Sequence, residues 1–166
     1  MWIGGRQPTS ATVKVNPNGT LAIIVGVIDL TGTNTTFVQM VAEEFGVAPQ
    51  EVTISVPDTD SAPYSSGTWG SKTTYTVSIA IKSACDQVKQ ELIQRAAPML
   101  DLPADQVEYE PYRLQSKQDP GRSVSLAVLA SASVSTGAGP IIKTGVVPSL
   151  PMAPGFSAHV VDVEVD

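Results

Sequence analysis

The chain has 166 residues, of which 16% are charged and 42% hydrophobic, a balance that excludes the disordered class and predicts one domain with a buried core. A net charge of −6, with ten scattered Lys and Arg, excludes a surface built to neutralise nucleic-acid phosphate. No apolar run reaches the roughly 18 residues that cross a bilayer, the start lacks a basic and apolar leader, and one Cys cannot close an internal disulfide; the expectation is a cytoplasmic chain without nucleic-acid or membrane partners.

ATVKV at 11–15 alternates, NPNG at 16–19 is a turn cluster, and TLAIIVGVIDL at 20–30 reads as a longer, more buried strand, so the chain opens with a β-hairpin. TGTNT at 31–35 leads into FVQMVAEEF, where Phe37, Val41 and Phe45 recur at helical spacing and Gly46 supplies a stop. Strict alternation of Val52, Ile54 and Val56 predicts a third strand, ended by Pro57. Turn-formers over 57–72 precede the longest helical stripe, Val77, Ile81, Ala84, Val88 and Leu92, which predicts a helix over about 73–97. Small residues Ser78, Ala80, Ser83 and Ala84 thin its first half and allow another backbone or a ligand to come close.

Further on, VEYEPY at 107–112 reads as a strand, and SVSLAVLAS at 123–131 as a helix from an N-cap Ser123, with a strand as the alternative. GPIIKTGVVP at 139–148 is a strand, and SAHVVDVEVD at 157–166 alternates Val161, Val163 and Val165 as a terminal strand. The order predicts an α+β fold: a mixed sheet with a hairpin, one short and one long helix, in a single domain over 1–166. The last strand stops in mid-pattern at Asp166, so the chain is expected to be a truncated piece of a longer polypeptide.

The strongest chemical signal is YSSGTWGSKTT at 64–74, a Gly, Ser and Thr loop ahead of a long helix. Such a loop offers backbone N–H groups and hydroxyls to an anion, and a helix N-terminus adds about half a positive charge. A nucleotide-triphosphate loop requires Lys directly after its last Gly; here Ser71 intervenes, and Gly67 and Gly70 are too close. TGTNT at 31–35 has the same character, and two such loops suit a common anionic ligand, although either also reads as a plain helix cap. Asp58 and Asp60 read as solvated turn residues, Cys85 as a small buried residue and His159 as a structural imidazole. With no GxSxG, HExxH or Cys–His pattern, neither a catalytic residue nor a metal ligand is assigned.

These segments together resemble the large subunit of the xanthine dehydrogenase and aldehyde oxidase family. The resemblance runs over about residues 20–100 and the last dozen. It is carried by the Gly/Thr loop before QMVAEEFGV, the DTD after a strand, the Gly-Ser-basic-Thr-Thr run and the long helix after it. It implies part of a molybdenum cofactor-binding domain, in a parent enzyme that hydroxylates an N-heterocycle or an aldehyde with water. Gly70, Ser71, Lys72 and Thr73 would line the molybdenum and pterin, and Gly32, Thr33, Asn34 and Thr35 would approach the cofactor's phosphate side.

The parent's partners would be the remaining domains of the large subunit and iron–sulfur and FAD subunits or domains. Many members carry Gln-Gly where this chain has Gly32-Thr33, and the family's catalytic Glu lies beyond Asp166. Without that Glu the chain by itself is expected to be inactive, and with only one wall of a site enclosed between domains it is expected to hold no molybdopterin. The competing expectation is a stand-alone, non-enzymatic module that uses the same loops for another anionic ligand.

Overall fold

The computed structural model describes residues 7–151 and 158–165. β1 (Thr9–Val15) and β2 (Leu21–Val25) form the expected hairpin, with Val15 opposite Leu21 and Gly19 in the left-handed region at the turn. β2 ends five residues before the predicted limit. Gly26 lies against the Pro63 carbonyl, where a Cβ would collide, and the chain bends away under the 57–72 loop.

α1 (Thr33–Phe45) crosses over to β3 (Val52–Ser55), which lies parallel to β2. Val56 is left outside the strand and exposed. α2 (Thr73–Met99) is the long helix, two residues longer than expected. β7 (Ile141–Val147) then pairs antiparallel with β1, giving a four-stranded mixed sheet in the order β3-β2-β1-β7.

Val13, Val15, Leu21, Ile23, Val25 and Ile141 are almost fully buried and meet Phe37, Val41, Phe45, Val77, Ile81, Val88 and Leu92 from the two helices. At roughly 25 cal/mol per Å² of apolar surface removed from water, this layer is the main stabilising term. The small residues in the first half of α2 serve backbone approach. A Cβ on Gly145 of β7 would run into the Ala80 carbonyl and the Ser83 side chain, so strand and helix touch there without a side chain between them.

Between α2 and β7 the chain builds a second, antiparallel sheet of β4 (Val107–Glu110), β5 (Arg113–Ser116) and β6 (Ser123–Ser125), followed by α3 (Leu126–Ser135). The predicted strand at 107–112 is split, because Pro111 and Tyr112 form the turn of the β4–β5 hairpin, with Tyr112 at φ 65°. The helix at 123–131 starts later than expected: Ser125, not Ser123, is its cap, accepting the Val128 N–H at 3.2 Å. Tyr109 fastens this sheet to the end of α1, donating its hydroxyl to the Phe45 carbonyl at 2.9 Å and meeting the Phe45 ring edge-on at 5.4 Å.

The terminal strand predicted for 157–166 is corrected. Residues 158–165 form no strand, and Val160, Val161, Val163 and Val165 are exposed. Alternation specifies which face of a strand is apolar, but a strand also needs a neighbour to take its N–H and C=O groups, and none lies beside this segment among the described residues. The ends of the predicted strand, Ser157 and Asp166, lie outside the described residues. The α+β class and the mixed sheet stand as predicted, with α3 a third helix.

Candidate functional site

The mixed sheet brings the start of α1 and the start of α2 to one end of the molecule. Between them lies a cleft of about 370 Å³ lined by Leu30, Thr31 and Thr33 on one side and Thr68, Trp69, Gly70, Ser71, Thr73 and Thr74 on the other. Of the residues singled out from the sequence, Thr33, Gly70, Ser71 and Thr73 meet there. Gly32, Asn34, Thr35 and Lys72 belong to the same two segments, but their side chains are not part of the lining.

The two helix ends differ. At α1 the cap position is Gly32, in the left-handed region at φ 80°, with no side chain of its own to offer. Asp29 stands in for one: a single carboxylate oxygen accepts the Asn34 N–H at 3.2 Å and the Thr33 hydroxyl at 3.1 Å. A carboxylate on a helix N-terminus satisfies donors and opposes the macrodipole, so this end already holds an anion. Asp29 was not recognised from the sequence, because it sits three residues before the cap instead of at it.

At α2 no side chain caps the helix, and its first turn carries no acidic residue. Thr76 is the first residue to donate a backbone bond, to the Lys72 carbonyl at 2.8 Å, and the N–H groups of Thr73, Thr74 and Tyr75 have no recorded acceptor among the described residues. The Thr73 hydroxyl is buried and has no hydrogen-bond partner either. Buried polar groups are almost always paired, and leaving one unpaired costs about 1–3 kcal/mol. An oxyanion placed in the cleft would take both the hydroxyl and the free N–H groups.

The loop that ends at α2 is held in an uncommon shape. Gly67 and Gly70 have φ of 86° and 60°, and Ser71, a residue with a side chain, has φ 54°. Thr31 on the opposite wall has φ 61°, unusual for a β-branched residue. The Ser10 N–H and hydroxyl both donate to the Tyr64 carbonyl, at 2.8 and 2.9 Å, and tie the loop to β1. The Trp69 indole donates to the Ser66 carbonyl at 2.9 Å and the Thr68 hydroxyl reaches the Ile28 carbonyl at 3.5 Å, joining the two walls. Trp69 and Thr68 escaped the sequence reading, since nothing in a polar loop marks which side chains turn inward.

Other candidates lie elsewhere. Asp58 accepts the Asp60 N–H at 3.1 Å and closes a turn, and no group of three or more potential metal-ligating side chains occurs among the described residues. Cys85 is buried in the middle of α2, where desolvation pushes its thiol up to about 12. His159 is exposed, in the 158–165 segment. No helix among the described residues is long and apolar enough to cross a membrane.

The profile of the molybdopterin cofactor-binding domain family matches residues 2–166. The carbon monoxide dehydrogenase large chain of Afipia carboxidovorans is 31% identical over 125 residues, which are 75% of this chain and 16% of that protein. The putative xanthine dehydrogenase molybdenum-binding subunit of Escherichia coli is 36% identical over 101 residues, 60% of this chain and 13% of that one. Among solved structures, CO dehydrogenase from Oligotropha carboxidovorans superposes with a TM-score of 0.74 at 28% identity, over 88% of this chain and 18% of that one. Quinoline 2-oxidoreductase from Pseudomonas putida shares the fold, with a TM-score of 0.74 at 21% identity, over 86% of this chain and 19% of that one. The chain thus spans less than a fifth of the length of these relatives.

Proposed function

Because the chain belongs to the molybdopterin cofactor-binding domain family, we propose that the cleft between α1 and α2 is its contribution to the cofactor site of a larger molybdenum hydroxylase subunit. The observation that carries this reading is the uncapped end of α2, where Thr73 lines the cleft and its buried hydroxyl has no partner. These groups suit an anion, and the cofactor is a phosphate-bearing pterin. When bound, it supplies the redox and oxygen-transfer chemistry of the enzyme.

The residues of this chain bind and orient. Thr73 donates its hydroxyl, and the backbone N–H groups of Thr73, Thr74 and Tyr75 donate along the helix axis. Gly70 and Ser71, in left-handed conformations, bring backbone close to the ligand without a long side chain between. Thr31 and Thr33 form the facing wall, and the Asp29 carboxylate leaves that end of the cleft unsuited to a second anion. The anionic group of the ligand therefore lies at α2, and Thr31 and Thr33 contribute the shape of the facing wall.

The parent protein is proposed to hydroxylate an N-heterocycle or an aldehyde with water, with its remaining domains and iron–sulfur and FAD components as partners; the family match supports the molybdenum cofactor, and the short span of this chain within its relatives supports the further domains. The chain alone, one wall of the site, is proposed to be inactive and to retain no stoichiometric molybdenum. The test is made in the whole enzyme. Thr73→Val should leave circular dichroism and thermal unfolding close to wild type while molybdenum content, by elemental analysis, falls severalfold; Gly70→Val, which puts a branched residue at φ 60°, should keep the circular dichroism, lower the unfolding temperature and bring molybdenum nearly to zero. Full molybdenum content in both variants would remove this loop from the site.

A further inference from the structure

Lys72 sits between two residues that line the cleft, yet its side chain points into the protein and is only 1% exposed. Its ammonium donates to the Ser66 hydroxyl and lies 5.5 Å from the centre of the Trp69 ring. Ser66 is gripped from the other side as well, because its carbonyl accepts the Trp69 indole N–H at 2.9 Å. Among the described residues no carboxylate comes within ion-pair distance of Lys72, and burial draws its ammonium below the usual lysine value. A buried cation without a counter-charge costs free energy, so its retention calls for a role in the folded state.

We propose that Lys72 is the positioning residue of this site: from behind the cleft it clamps Ser66 and Trp69, and so holds Gly70 and Ser71 in the left-handed conformations that aim the start of α2 at the ligand. The proposal rests on the reading of the cleft as an anion site. Three residues of the 66–72 segment, Gly67, Gly70 and Ser71, have positive φ, and free chain does not stay in such a shape without a tie. The Lys72–Ser66 bond closes that segment end to end, and the Lys72 N–H adds a weaker bond to the Trp69 carbonyl at 3.4 Å. Lys72 is thus separated from the ligand by its own backbone, and its effect on binding passes through the loop.

The test uses the 166-residue chain with Trp2→Phe, which leaves Trp69 as the only tryptophan, and inorganic phosphate as the probe of the cleft. Lys72→Met, close in length and apolar, should shift Trp69 emission to the red and weaken phosphate binding roughly tenfold, the size of one lost hydrogen bond to a charged group. Global thermal unfolding should change little, because a buried charge has been removed together with its bond. Ser66→Ala, which strips the buried ammonium of its acceptor, should give the same shift and loss at some cost in stability, and the double variant should do no more to either signal than a single one. Lys72→Arg, which keeps a cation and a donor, should recover most of both signals.

If Lys72→Met weakens phosphate binding with Trp69 emission unchanged, and Ser66→Ala is silent, Lys72 contacts the ligand directly and the positioning role is wrong. If neither signal moves, the clamp does not hold the loop. Should wild-type chain fail to bind phosphate at all, the reading of the cleft fails, and the clamp is judged on Trp69 emission and on protease cleavage of residues 64–72 alone.

Discussion

α1 and α2 begin at the same end of the mixed sheet, a cleft apart, and their N-termini have opposite fates. At α1 Asp29 meets two donors from within the chain, the Asn34 N–H and the Thr33 hydroxyl. At α2 the first-turn N–H groups and the Thr73 hydroxyl are left unmet while Thr73 itself is buried. A helix end that folding satisfies is a structural cap, and the one that it leaves unsatisfied is the end we propose for the ligand. The difference lies in one carboxylate, and it assigns polarity to a cleft whose two walls look alike in sequence.

The largest expected effect comes from displacing α2 as a whole. Gly145→Val would drive a branched side chain into the Ala80 carbonyl and the Ser83 side chain, and should destabilise the fold by about 4 kcal/mol or more, since neither backbone can yield. Chemical denaturation would measure it, and a loss below about 1 kcal/mol would mean that α2 is not seated on β7 as described. With α2 lifted, phosphate binding at its end should disappear along with the stability.

A smaller effect separates the two ends. Asp29→Ala should cost about 1 kcal/mol of stability through the lost cap of α1, with phosphate binding at α2 unchanged or slightly tighter, because one negative charge leaves the facing wall. Weakened phosphate binding in this variant would show that α1 carries the anion, and would invert the comparison.

The smallest effect concerns the closed middle of α2 against its open end. Desolvation first, then the nearby Glu44 carboxylate, keeps the Cys85 proton on sulfur up to about 12 in the fold, against 9.0 for a free thiol. The folded state therefore holds a proton that the unfolded chain releases, so its contribution is fully present below pH 9 and is lost as pH rises from 9 towards 12. Lys72 has the opposite sign: its lowered value relieves a penalty as pH rises towards 10.5. Cys85→Ala should flatten the alkaline fall in thermal stability, and the native thiol should react with alkylating reagents at pH 8 only as fast as the helix opens.

Much of the fold was legible from local pattern. The β1–β2 hairpin, the α2 stripe from Val77 to Leu92 and the strand at β7 each repeat their apolar period over enough residues to specify an element, and an element with one apolar face must bury it. Pro111 and Tyr112 were harder: a strand pattern of four residues on each side of a turn looks like one strand until pairing with β5 is seen. The alternating valines of 158–165 show the reverse failure, a period without a partner.

The site divides in the same way. Its chemistry, Gly, Ser and Thr ahead of a long helix, was written in the sequence, because backbone donors and hydroxyls are local properties of those residues. Which of the residues face the cleft was decided by the tertiary fold. Lys72, next in line to Ser71, turns inward because Ser71 takes a left-handed conformation and rotates the chain, and Asp29 reaches α1 across a bend that no helical period describes. Period and composition determine what an element can bury or donate; the direction in which a loop side chain points depends on contacts such as that of the Tyr64 carbonyl with Ser10 of β1, 54 residues away in the chain, and only the folded molecule brings those together.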